Sequence, residues 1–135
     1  VARSRRARPA DIEDIALSLP GAELVPGEYP QFQVRKKTFT CHRSPRPDAV
    51  DPATGERLTD VLLFWVPDEE DKVALVSGDG PFFTTPHFNG YNAVLLRLVH
   101  LGQLTRDELE EVIVDAWHCR APATLRREWE QQSPR

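Results

Sequence analysis

The run Val61 to Val66, VLLFWV, is the feature that most constrains this chain. An unbroken apolar run has no side to offer to water. With Asp60 as its lead-in, DVLLFWV therefore reads as a central β-strand covered on both faces. It is far shorter than the ~20 apolar residues a membrane-spanning helix requires. A fold built around such a strand needs a sheet with something packed against each side.

The neighbouring patterns supply the rest of the elements. Ile12, Ile15, Ala16 and Leu19 recur at helical spacing, so residues 10–19 read as an amphipathic helix that Pro20-Gly21 stops. Phe32 and Val34 alternate with Gln31, Gln33 and Arg35, which is strand spacing. Thr38 to His42 supplies a return strand, with Lys36-Lys37 at the hairpin tip, although the Asn-Gly or Asp-Gly favoured in tight hairpins is missing. Ser44 to Thr59 is a polar, proline-containing loop. Pro67-Asp68 opens a helix whose first turn carries Asp68, Glu69, Glu70 and Asp71, favourable at the positive end of the helix dipole, and Gly78 closes it. Ala93 to Leu98 is another strand. Thr105 and Glu108 form a capping box, and Leu104 with Leu109 a hydrophobic staple, for a helix with Leu109, Val112, Ile113, Ala116 and Trp117 on its apolar face. Ala121-Pro122 breaks that helix, and Pro122 starts a last one bearing Leu125 and Trp129. Short connections and this element order predict an α+β fold, an antiparallel sheet with helices packed on one face. Phe64, Trp65, Val112, Ile113 and Trp117 are the expected core.

With 135 residues, 40% of them hydrophobic and 28% charged, the chain is expected to be one globular domain over residues 9–130. Residues 1–8 read as a flexible basic arm and 131–135 as a tail. The two cysteines, Cys41 and Cys119, suit a reducing cytoplasm and read as small buried apolar groups. A formal net charge of −4 argues against indiscriminate nucleic-acid binding. The charge is unevenly placed, however. Gln31 to Pro47 holds five cations and no acid, whereas Asp48 to Asp79 holds nine acids against Arg57 and Lys72. Such a chain can bind an anion on one side despite its negative total.

Four blocks carry a family resemblance: ALSLPGAE (Ala16 to Glu23), YPQFQVRKKTFT (Tyr29 to Thr40), PFFTTPHFNGYNAVLLRL (Pro81 to Leu98) and EEVIVDAWHCRAP (Glu110 to Pro122). In this order they resemble the MmcQ/YjbR family of small bacterial proteins over Asp11 to Leu125. The resemblance implies an α+β sandwich similar to frataxin/CyaY and to phage double-wing DNA-binding domains. It also implies a loose assignment to DNA binding, with no cofactor and no defined reaction.

Four groups of residues compete to carry function. Arg35, Lys36 and Lys37, with Arg43 and Arg46 beyond, are the candidate DNA-binding set, able to contact phosphates while Gln31 and Gln33 face a groove. The same charges also suit a solvated hairpin that resists edge-to-edge aggregation. Thr84, Thr85, His87 and Tyr91 in the aromatic turn are the candidate pocket for a small ligand or protein partner. Equally, the threonines serve local backbone groups, Pro86 and Gly90 shape the turn, and the phenylalanines seal the core. The acids of the first and third helices, Asp11, Glu13 and Asp14 and Asp107, Glu108, Glu110 and Glu111, offer a frataxin-like cation ridge or simply a solvated face. Cys41-His42 and His118-Cys119 lack zinc-ligand spacing, and no metal is expected. The chain has no GxGxxG, P-loop, HExxH or GxSxG motif, and the aromatic turn shows no nucleophile–base–orienter set. The expectation is a cytoplasmic, non-enzymatic protein without a membrane partner.

Overall fold

The computed structural model describes residues 5–132. Helix α1 spans Pro9–Leu17, followed by strands β1 (Ala22–Val25), β2 (Gln31–Val34), β3 (Lys37–Arg43) and β4 (Val61–Trp65). Helix α2 (Glu69–Ser77), strand β5 (Ala93–Arg97), helix α3 (Arg106–Arg120) and helix α4 (Ala123–Gln132) complete the order, with short 3-10 turns at Pro86–Phe88 and Leu98–Gln103. The five strands form one antiparallel sheet in the order β1-β2-β3-β4-β5. Each strand pairs with its sequence neighbour, so every connection is local.

Strand β4 has the two-sided burial its sequence demands. Leu62 and Phe64 join Val94 and Leu96 in a core shared with Ile12, Ile15, Leu109, Ile113 and Trp117 of the helices. Val61 and Leu63 turn the other way and pack with Cys41, Ala93 and Leu95 under Ala49, Leu58 and Phe88. Helices thus cover one face, and the loop after β3 together with the aromatic turn covers the other. Phe39 belongs to the helix-side core and Cys41, two residues on, to the opposite one. Strict alternation would put both on one side. A register shift opposite Phe32/Gln33 makes the change, and it turns Cys41 and Arg43 toward the loop-covered face.

The helix ends follow the sequence closely. In α3 the Glu108 N–H donates to Thr105 Oγ1 at 3.1 Å, and the Thr105 N–H donates to Glu108 Oε1 at 2.9 Å. Leu104 and Leu109 are buried beside this cap. Asp68 caps α2 by accepting from the Asp71 N–H at 2.9 Å. Trp117 is fully buried and its indole N–H donates to the Pro20 carbonyl at 3.0 Å, tying α3 to the turn after α1. Gly21 within that turn has φ 70°, and a Cβ there would lie 2.7 Å from Leu125 Cδ1 of α4.

Several expectations need correction. Strand β1 falls where the sequence shows no apolar alternation, because it is an edge strand and Glu23, Leu24 and Val25 are all exposed. The hairpin tip is Arg35-Lys36 rather than Lys36-Lys37, since Val34 pairs with Lys37. Trp65 and Val112 are half-buried, Trp65 as the last residue of its strand and Val112 on the flank of α3 that faces α2. Cys119 is likewise only half-buried, whereas Cys41 is buried.

The basic arm over residues 1–8 is also revised where it is described. The Ala7 N–H donates to Leu104 O at 2.9 Å, the Arg106 N–H donates to Arg5 O at 2.8 Å, and Ala7 is buried. Asp11 anchors the segment. Its carboxylate accepts from Arg5 at 2.6 and 2.8 Å and from the Arg8 backbone N–H at 2.8 Å. The part of the arm over residues 1–4 and of the tail over 133–135 lies outside the described residues.

Candidate nucleic-acid interface

The five candidate cations divide into two groups with different surroundings. Arg35, Lys36 and Lys37 sit at the β2–β3 tip, all exposed. Arg43 ends the same strand six residues further on, about 20 Å away at the rise of an extended chain. Among the described residues, none of the three tip cations makes an ion pair; the acids that are paired hold Arg5, Arg97 and Arg106.

The tip itself has an unusual backbone. Arg35 has φ 49° and Lys36 φ 66°. A two-residue hairpin with positive φ at both central positions is the type I′ turn, whose twist matches its strands and in which glycine and asparagine dominate. An L-residue in this region costs roughly 1–2 kcal/mol. The chain instead holds two long cationic side chains at the point of the hairpin. Gln31, by contrast, is engaged in the sheet, where its side-chain oxygen accepts from Thr38 Oγ1 at 2.9 Å.

Arg43 and Arg46 belong to a second assembly, with the aromatic turn. The Arg43 guanidinium lies 5.1 Å from the Phe88 ring centroid, and Arg46 Nη2 is 2.8 Å from His87 Nδ1. Because an arginine N–H can only donate, His87 accepts there. The His87 backbone N–H donates to Asp48 at 2.9 Å, and this bond holds the Asp48 carboxyl below its ordinary pKa. Lys72 of α2 clamps the turn from its other side, donating to the carbonyls of Phe88 and Tyr91, each at 2.7 Å. The sequence does not single out Lys72; as one of two cations in an acidic segment it carries no local signal of this role.

The aromatic turn is consequently a structural knot, and its four candidate ligand-binding residues do not line one pocket. Thr85 is buried beside a cavity of about 10 Å³, room for about one water. Thr84 faces a groove toward α2, and Tyr91 is 54% exposed on the surface. Phe82 seals the helix-side core and Phe88 the opposite one.

Burial decides the state of the thiols. It pushes both Cys41 and Cys119 up to about 11, and it lowers the pKa of His42 next to Cys41. Among the described residues, no three His, Cys, Asp or Glu side chains gather as metal ligands would. Asp11, one of the ridge acids expected from sequence, points inward to Arg5. No helix among the described residues is long and apolar enough to cross a membrane.

A five-stranded antiparallel meander with helices on one face and a charged hairpin tip defines a small α+β domain. Residues 17–119 match the YjbR family, and the chain belongs to it. An uncharacterised protein of Mycobacterium tuberculosis is 37% identical over 119 residues, covering 84% of this chain and 90% of its own length. An uncharacterised protein of Mycobacterium bovis matches over the same span with the same identity. No solved structure matches the chain.

Proposed function

We propose that this YjbR protein is a non-enzymatic DNA-binding protein that presents the β2–β3 hairpin as a wing, with Arg35, Lys36 and Lys37 contacting phosphates. One observation carries the reading: three consecutive exposed cations occupy the hairpin tip, and among the described residues no acid is paired to them. Two of them hold a backbone conformation that long side chains disfavour, a local cost that tends to accompany a functional demand. Arg43 and Arg46 play a supporting part, since Phe88 and His87 already engage them.

Phosphate contacts release counterions, so affinity falls steeply with salt, with a log–log slope that loses about 0.9 for each contact removed. Fluorescence anisotropy with duplex DNA at two or more salt concentrations tests this. Replacing Arg35, Lys36 and Lys37 together with alanine is expected to weaken binding to many sequences alike and flatten the salt dependence. Unchanged binding by the triple variant would remove the wing from the mechanism.

A further inference from the structure

The largest contrast in the molecule lies away from the wing, between α2 and α3. A cavity of about 250 Å³ opens there. Its floor is apolar, formed by Leu75, Phe82, Leu104 and Val112. The charged residues that line its rim are all acidic, with Asp71 from α2 facing Glu108, Glu111 and Asp115 from α3, and Pro67 completes the edge. Among the described residues neither lysine nor arginine lines the cavity, and none of these four carboxylates is ion-paired. A second cavity of about 480 Å³ shares Glu111 and Asp115 and extends along α3 to the Trp129 ring.

We infer that this cleft is a binding site for a small organic monoamine, an ammonium group carried on an apolar body about the size of one aromatic ring. The combination of floor and rim selects that chemistry. An apolar body displaces water from Phe82, Leu104 and Val112, and burial of such surface is favourable. An ammonium at the rim meets Glu111 and Asp115 without losing contact with water, so its desolvation stays partial. Bare metal ions and neutral lipid-like molecules each satisfy only half of the site. Burial, together with repulsion from the Glu111 and Asp71 carboxylates, raises the Asp115 pKa, and His118 opposes the shift. A bound cation relieves that repulsion. The i, i+4 spacing of Glu111 and Asp115 places both on the same side of α3, one turn apart. At about 250 Å³ the cavity lies just under the roughly 300–1,000 Å³ of drug-sized ligand pockets, which limits it to a body of about one ring.

The test uses the full chain and two probes of nearly equal shape, 2-phenylethylamine and 2-phenylethanol. Amide chemical shifts are followed by nuclear magnetic resonance during titration. The amine is expected to move resonances of Leu75, Phe82, Val112 and Asp115 and to bind at least about tenfold more tightly than the alcohol. Glu111→Gln with Asp115→Asn should bring the two probes to within about threefold of each other while leaving the remaining spectrum unchanged. Because both changes lie on the exposed side of the helix, the spectrum also reports that the variant is folded. The inference is overturned if neither probe shifts these resonances, if alcohol and amine bind equally to the unaltered protein, or if the amine's advantage survives in the folded double variant.

Discussion

At the scale of single residues, two charges behave in ways their neighbours in sequence do not announce. Asp11 is one of several acids on what reads as the polar side of α1, yet it is 3% exposed. The Arg5 hydrogen bonds, with help from the Arg8 N–H and the Arg106 charge, hold its carboxyl well below the usual carboxylate range. A folded-state pKa below the unfolded one gives stability that is fully present above the unfolded value of about 3.9 and disappears as pH falls toward the folded value. Urea denaturation between pH 6 and pH 2.5 should therefore show a loss of stability below about pH 4. Asp11→Asn should be less stable than the parent at pH 6 and show a shallower loss on acidification. Lys36 is the other case. Glycine suits its φ of 66° better than any long side chain, so Lys36→Gly is expected to stabilise the fold by about 0.5–1 kcal/mol in chemical denaturation. On the proposed DNA-binding reading, the same substitution weakens binding, because it removes a cation from the wing. Together, gained stability and lost affinity would separate a functional residue from a merely tolerated one.

Among the elements, α3 was the most legible. Its cap, staple and apolar stripe are all local patterns, and all are present. Thr105→Ala is expected to cost about 0.5–2 kcal/mol, read from the shift in denaturation midpoint. Helix α1 and strands β2 to β5 were legible for the same reason: each has a run or periodicity of its own. Strand β1 was not, because an exposed edge strand needs no apolar alternation and is held by backbone pairing to β2. The register shift beside Phe39 was also invisible, since both Phe39 and Cys41 are apolar and either face would accept them. The hairpin tip lies one residue earlier than the sequence predicts. The sequence lacks the glycine that would have marked the turn, and pairing across the strands fixed it instead.

Across the whole molecule, charge is segregated: the wing carries exposed cations, while the cleft between α2 and α3 gathers carboxylates. The sequence shows the basic segment directly, but of the cleft's four carboxylates only Asp71 lies in the acidic segment, whereas Glu108, Glu111 and Asp115 come from α3; the fold class is legible from the two-sided strand β4 and the element order. The sequence did not disclose which candidates would meet. Arg46 and His87 are 41 residues apart in sequence and touch only because the loop after β3 folds over the sheet. That long-range contact turns the aromatic turn from a candidate pocket into a structural knot, and it divides the basic set into an exposed wing and an engaged pair. The measurement that bears most directly on the DNA-binding reading is a nuclear magnetic resonance titration of the intact protein with a short duplex at low salt. The account predicts that shifts concentrate at Arg35, Lys36 and Lys37 and fade as salt is raised, with the lining of the acidic cleft unmoved. Shifts confined to residues away from the hairpin, or none at all at low salt, would contradict it.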